Sequence, residues 1–301
     1  MDMERASNVN MPATDWNEAT FEAHRPLLFS IAYRMLGSVS EAEDVMQDAW
    51  LRALQDEHAA VRSPRAYLTT IVTRLCIDRL RSAERTRVEY PGPWLPEPLA
   101  EPNQESADLA SSLTTAFLVL LEQLAPTERA VFLLREVFEL DFDEIARSVG
   151  KSEANTRQIL TRARGRLRDS RPRFTVSRRE SEEIVRRFRH ACVTGDVEEL
   201  MAVLHADAEL VADGGGKVAA ATRPVLGADR IAKFVLGYAA KAHWSESDFQ
   251  FVTINGAPGL LMRHPLSGDG TYSFDIADGR IHAIYVVRNP DKLRGFLEHT
   301  H

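Results

Sequence analysis

Arginine is the residue whose placement first points to chemistry in this chain. From Lys151 to Arg173 there are eight bases (Lys151, Arg157, Arg162, Arg164, Arg166, Arg168, Arg171 and Arg173) against Glu153 and Asp169. That stretch is +6 in a protein of net charge −7, so the remainder sums to −13. A second basic stretch, Arg62 to Arg87, holds seven arginines against Asp78 and Glu84, while Glu89 to Asp108 holds five acids and no base. Such segregation suits phosphate-facing surfaces set in an otherwise acidic protein. Covalent chemistry has weaker candidates. His205, His243, His264 and His282, with Asp207 and Asp275, show no spacing diagnostic of an acid–base pair, and no histidines fall at metal-ligand spacing on one helix. Asp213-Gly214-Gly215-Gly216-Lys217 lacks the spacing of a nucleotide-phosphate loop and reads as a tight loop that lets another backbone approach, with Lys217 open to an acid such as Glu97. Cys76 and Cys192 lie far apart in apolar helical patterns and read as core residues. No catalytic residue, metal or cofactor is expected.

The elements that carry these residues fall into three groups. Between Glu18 and Arg87 the pattern is helical throughout. Phe21, Leu28, Ile31, Ala32 and Met35 share a face, and Gly37 closes the first helix. Ser40 with Glu43 reads as a capping box for a second helix, which turns Val45, Met46, Ala49 and Ala53 inward and Asp44, Gln47, Asp48 and Arg52 outward. Ser63-Pro64 starts a third, with Tyr67, Leu68, Ile71, Val72, Leu75 and Leu80 at three- and four-residue steps. Five prolines then exclude a long helix between Glu89 and Asp108, leaving an acidic linker in which Trp94 and Leu95 need a docking place. Helices resume near Ser111, over Leu113–Leu124, Pro126–Phe138, Asp141–Gly150 (Asp141 as cap, Glu144 at the capping-box position) and Ser152 to about Asp169. A short helix, a glycine turn and a basic helix make a helix-turn-helix. Ala154, Ile159, Leu160, Ala163 and Leu167 would hold the last helix in the bundle, and Glu153, Asn155, Arg157 and Gln158 would project from its first turns, where such helices reach base edges.

Beyond Glu180 two helices, Glu180–Val193 and Val197–Leu204, precede a strand at Glu209–Ala212 and an amphipathic helix around Ala228–Lys241. Strands follow at Phe249–Ile254, Leu260–Arg263, Thr271–Ile276 and Ile281–Val287, with an Asp278-Gly279 hairpin between the last two. This order gives an α+β domain with a curved antiparallel sheet. The first 17 residues read as a disordered lead-in without the order of a secretory signal, and no apolar run reaches the roughly 20 residues of a membrane span. A cytoplasmic protein with no membrane partner is expected.

Three segments resemble known ones. Ala42 to Arg52 is similar to the segment with which extracytoplasmic-function (group four) RNA polymerase sigma factors grip the polymerase, and Ser63 to Arg81 to their helix that opens and reads the −10 element. Leu140 to Arg168 resembles their −35-reading helix-turn-helix. Trp94-Leu95-Pro96-Glu97-Pro98, the Asp213–Lys217 loop and Asn289-Pro290-Asp291-Lys292-Leu293 resemble the signatures of a subgroup that ends in a SnoaL-like domain of the nuclear-transport-factor-2 superfamily. The resemblance implies two all-α sigma domains, sigma-two at 18–88 and sigma-four at 112–172, joined by a linker at 89–111 and followed by a SnoaL-like domain at 180–301. It implies core polymerase (the beta-prime coiled coil and beta flap) and promoter −10 and −35 DNA as partners, with the fused domain regulating in place of a separate anti-sigma factor.

Taken with the residues, Asp44, Gln47, Asp48 and Arg52 would meet polymerase. Tyr67, Arg74, Arg79 and Arg81 would meet −10 DNA; Arg85 shares the phosphate-facing spacing. Ser152, Asn155, Arg157, Gln158, Arg162 and Arg164 would meet −35 DNA, Arg157 and Gln158 at bases and Arg162 and Arg164 at phosphates. The aromatic-rich opening element of the family is thin here, with Tyr67 alone on the third helix. The C-terminal domain reads first as a structural scaffold that holds the linker; sensing of a small ligand inside the curved sheet, near Trp244 or Tyr272, is the alternative reading. The alternatives are a helix-turn-helix regulator that binds DNA without polymerase and senses a ligand through its C-terminal domain, which predicts a stable DNA complex alone, and an enzyme with a DNA-binding appendage, which predicts turnover.

Overall fold

A computed structural model describes residues 18–55, 63–86, 90–100, 114–167, 176–265 and 267–300, with no side chains described at 84–86. The lead-in at 1–17, the linker stretch 101–111, Leu113, the Arg85 side chain and the arginines at 168, 171 and 173 lie outside the described residues.

Helices α1 (Glu18–Leu36), α2 (Val39–Gln55) and α3 (Pro64–Thr86) form the first group. The expected apolar face of α1 is buried, and Gly37 ends it in the left-handed region at φ +68°. Ser63 caps α3, its Oγ accepting from Ala66 N–H at 3.3 Å. The cap of α2 differs from expectation. Ser38, not Ser40, accepts from Glu41 N–H at 3.2 Å, and Glu43 pairs with Arg25 at 2.5 Å. The carboxylate that serves the α2 N-terminus comes from the linker: Glu97 accepts from Val39 N–H at 2.7 Å and Ser40 N–H at 3.3 Å. A negative charge is favoured at that end of the helix dipole.

The second group is α4 (Thr115–Leu121), α5 (Pro126–Glu136), α6 (Phe142–Val149) and α7 (Glu153–Leu167). Helix α4 ends sooner than expected: over Glu122–Leu124 the chain tightens into three-residue turns (Glu122, Gln123 and Leu124 N–H donate to Val119, Leu120 and Leu121 O at 3.1, 3.2 and 3.1 Å) before Ala125 turns extended ahead of Pro126. Asp141 occupies the cap position of α6 without a side-chain cap bond and lies 3.8 Å from Arg135. Gly150, at φ +65°, makes the expected turn. In α7, Thr156, Ile159, Leu160, Ala163 and Leu167 are buried; Ala154, expected inward, is exposed on the first turn. The apolar residues of α1–α3 and α4–α7 form one continuous core. Arg129 stitches the two groups with a 2.8 Å bond from its guanidinium to Met35 O.

The C-terminal unit opens with α8 (Arg178–Thr194), capped reciprocally by Ser177 and Glu180, and α9 (Val197–Val203). Strands β1 (Leu204–Asp213), β2 (Val225–Leu226), β3 (Phe249–Ile254), β4 (Ala257–Met262), β5 (Gly270–Ala277) and β6 (Arg280–Val287) form one sheet in the order β2-β1-β6-β5-β4-β3. The β3–β6 meander is antiparallel as expected, while β1 joins β6 in parallel. Helix α10 (Ala228–Ala242) closes the concave side. Helix α11 (Pro290–Glu298) was not anticipated, although Asn289 accepts from Asp291 N–H at 3.1 Å and Pro290 sits at its first position. Strand periodicity divides β6 between two cores. Ile284 and Val286 face the domain interior, and Ala283, Tyr285 and Val287 face outward, where Leu95 and Leu293 pack on them.

Candidate nucleic-acid interface and the contacts that cover it

Helix α2 presents Asp44, Gln47 and Arg52 to solvent, with Asp48 half-buried, as its periodicity predicts. On the same outward side Leu51 and Leu54 are 55% and 58% exposed, two apolar residues the sequence reading passed over. Acids beside bare leucines suit a protein partner better than DNA. Arg79 is drawn toward this patch, 2.8 Å from Asp48 and 3.3 Å from Asp44, so it bridges the expected polymerase and −10 surfaces.

Arg74 is also engaged. Its guanidinium donates to Arg147 O at 2.8 Å and Ser148 O at 3.2 Å, carbonyls at the C-terminus of α6 where the helix dipole is negative. Thr70 Oγ1 lies 3.1 Å from Ser148 Oγ beside it. Helix α6, half of the helix-turn-helix, therefore lies across the face of α3 expected to meet −10 DNA. Tyr67 is half-buried, and Arg81 is exposed 3.6 Å from Asp78.

On α7, Ser152 accepts from Asn155 N–H at 3.3 Å as the cap. Arg157 stacks over the Phe142 ring at 4.0 Å, and Gln158 is exposed beside it. Arg164 lies 2.6 Å from Glu136, while Arg162 and Arg166 lie 3.9 and 2.8 Å from Glu128. The three arginines are more than half exposed, where water screens them, while Glu128 is buried and Glu136 half-buried.

The linker is held by two buried hubs. Asp213, fully buried at the end of β1, accepts from Tyr90 OH (2.6 Å), Gly215 N–H (2.9 Å), Leu95 N–H (2.9 Å) and Lys292 Nζ (2.7 Å). Lys292 also donates to Leu95 O at 2.5 Å and sits 4.1 Å over the Trp94 ring. Burial, followed by Asp213, raises the Tyr90 phenol above its ordinary range. Gly215 lies against Asn289 and Gly216 against Pro91, each too close to admit a Cβ. The three signature segments thus meet at one point, and Trp94 and Leu95 find their docking place. The expected pairing of Lys217 with Glu97 is incorrect. Lys217 lies 2.5 Å from Asp291 on the surface, because Glu97 is taken up by the α2 N-terminus and a second lysine, Lys292, fills the buried place.

The second hub, Asn255, had no counterpart in the sequence reading. Its Oδ1 accepts from Leu99 N–H at 2.9 Å and lies 2.9 Å from Tyr33 OH; its Nδ2 donates to Thr115 Oγ1 at 2.9 Å. Tyr33 OH also donates to Glu97 O at 2.6 Å. One side chain from the β3–β4 turn therefore joins α1, the linker and α4. Asn255-Gly256, both at positive φ, is a hairpin signal of the same kind as Asp278-Gly279 and could have been read.

Family models for sigma-70 region 2 and sigma-70 region 4 match residues 20–86 and 114–167. Over 292 residues the chain is 35% identical to the extracytoplasmic-function RNA polymerase sigma factor SigJ of Mycobacterium tuberculosis, spanning 91% of this chain and 92% of that protein. The chain belongs to the extracytoplasmic-function sigma factors. A second member, the probable sigma factor SigI of the same organism, is 31% identical across 91% of this chain and 94% of its own. The crystal structure of Mycobacterium tuberculosis SigJ superposes with a TM-score of 0.76 at 32% identity, covering 93% of this sigma factor and 99% of that chain. The match extends through the C-terminal unit, so this sigma factor carries a fused SnoaL-like domain. Among the described residues no helix is long and apolar enough to cross a membrane, and no group of three or more His, Cys, Asp or Glu could hold a metal.

Proposed function

We propose that this sigma factor is held closed by its own SnoaL-like domain, in place of a separate anti-sigma factor, and opens on core polymerase and promoter DNA. Sigma-two at 18–88 grips the beta-prime coiled coil through Asp44, Gln47, Asp48 and Arg52, with Leu51 and Leu54 adding apolar area. Tyr67, Arg74, Arg79 and Arg81 face the −10 element. Sigma-four at 112–172 meets the beta flap and reads the −35 element, with Arg157 and Gln158 at base edges and Ser152, Asn155, Arg162 and Arg164 at the backbone. The linker at 89–111 and the SnoaL-like domain at 180–301 set the spacing between them. The protein works in the cytoplasm by binding energy and catalyses no reaction.

The observation that carries this reading is the bond from Arg74 to the carbonyl end of α6. With that contact in place, α3 and α7 cannot engage two separated promoter elements at once. A bias of about 3 kcal/mol between closed and open forms changes activity roughly a hundredfold.

Run-off transcription tests it, using purified core polymerase on a promoter selected from genomic DNA and comparing the full chain with residues 1–175. Stronger initiation by the truncated form supports restraint. Initiation by the full chain alone would make the domain a required part of the active complex. Inert protein in both forms, beside an active control sigma factor, would favour a DNA binder independent of polymerase.

A further inference from the structure

The concave side of the SnoaL-like domain forms a cavity of about 230 Å³ that is partly open to solvent. Its walls include Ala212, Ala220, Tyr238, Trp244, Tyr272 and Arg288. The polar tips of two wall aromatics are already occupied: Trp244 Nε1 donates to Ser267 Oγ at 3.3 Å, and Tyr272 OH points to Met262 Sδ at 3.7 Å. Their ring surfaces therefore face the cavity as apolar area. No carboxylate or histidine is among the residues that line it, so no carboxylate or imidazole base faces it.

The one charge is Arg288, 8% exposed. Its guanidinium donates to Ala219 O at 2.6 Å, to Tyr238 OH at 3.0 Å and to Ser267 O, all neutral acceptors. Its Nε is buried without a hydrogen-bond partner, and among the described residues no ion pair to Arg288 is formed. A buried guanidinium surrounded by neutral acceptors, with two of its five N–H groups unused, is matched by a carboxylate, which takes two parallel N–H bonds and supplies the missing charge. Filled at interior density, the cavity takes about 170 Å³ of van der Waals volume, a molecule on the order of a dozen non-hydrogen atoms.

The same arginine touches the linker hub. Arg288 N–H and Asn289 N–H both donate to Asp213 O, at 2.8 and 3.0 Å. Ala219, which Arg288 holds, belongs to the loop whose earlier residues Gly215 and Gly216 press on Asn289 and Pro91. One loop thus lines the cavity at one end and the linker contact at the other. We propose that the cavity is an effector site for a small aromatic or alicyclic carboxylic acid, which takes donors of Arg288 from Ala219 and loosens the hold on the linker. This rests on the reading of those contacts as a restraint.

Calorimetric titration of the full chain with 2-naphthoate and with neutral 2-naphthamide tests it. The carboxylate is expected to bind roughly tenfold or more tighter than the amide. Ala220→Phe, which fills the cavity from the loop, should abolish binding with the unfolding transition unchanged; Arg288→Gln should erase the preference for the carboxylate. Equal affinity for the two probes, binding that survives Ala220→Phe, or no heat from 2-naphthoate up to about 1 mM would overturn the site. Coupling is read from Lys292→Met, which weakens the linker contact and by reciprocity should raise 2-naphthoate affinity about fivefold. Unchanged or lowered affinity would overturn the coupling. Failure of binding, with the truncation still releasing transcription, sinks the effector site alone. Intact binding without any release by truncation sinks the restraint instead.

Discussion

Asp213 is the residue on which the contact with the linker turns. A fully buried carboxylate that accepts four hydrogen bonds is stable only while its partners remain, and Lys292 is the one that cancels its charge. Lys292→Met should therefore cost about 3–5 kcal/mol, because it leaves a buried charge uncompensated. Lys217→Ala, which breaks an exposed pair with Asp291, should cost less than about 1 kcal/mol. Urea unfolding of both variants checks the contrast, and similar losses would show that the two lysines are equivalent after all. Gly37 gives a second test. Its φ is positive, and a Cβ added there would stand 2.8 Å from the Trp94 ring, which leaves no room for a side chain. Gly37→Ala should lower stability by about 1–2 kcal/mol from the backbone alone, and more if Trp94 is displaced; a neutral effect in the same assay would mean that the linker does not dock there. At this scale the Asp-Gly-Gly-Gly-Lys loop was legible as a close-approach site, since only glycine tolerates such neighbours. Which lysine met which acid was not, because local pattern carries no information about residues as far apart in the chain as Asp213 and Lys292.

Helix positions were legible where periodicity and local caps agree, as in α1, α3 and α7. They slipped where the deciding group came from elsewhere in the chain, as when Glu97 took over the α2 N-terminus. Helix α11 and the Asn255-Gly256 turn carried readable local signals, Asn-Pro and Asn-Gly, that the sequence reading did not use. The sheet adds a feature that no linear pattern reveals. Glu209 on β1 and Asp275 on β5 flank Ala283 of β6 in register. Burial, and for Glu209 the charge of Asp275, hold both carboxyls above the usual range, with His282 partly offsetting the effect at Asp275. The folded protein then keeps protons that the unfolded chain releases, so stability falls as pH rises from the ordinary carboxylate range through the raised values, and stays lower above them. Asp275→Asn, neutral at every pH, should flatten that fall and raise the urea midpoint at pH 7. Unfolding curves at a series of pH values would show this, and a slope unchanged in the variant would refute it.

For the whole molecule, the family and the three groups of elements were legible because the motifs are local and occur in order. The arrangement was not, because the shared core of α1–α7 and the Arg74 contact with α6 depend on surfaces far apart in sequence. In the described state the two sigma domains are packed against each other, with the linker clasped between α1, α4 and the sheet by Asn255 and Asp213. On the proposed restraint, initiation needs those surfaces apart, so weakening the clasp should favour the open form. The most direct test is run-off transcription with core polymerase at matched concentrations of folded protein, comparing the full chain with its Asp213→Asn variant. The account predicts more transcript from the variant; an equal or smaller yield, with the variant shown to be folded, would contradict it.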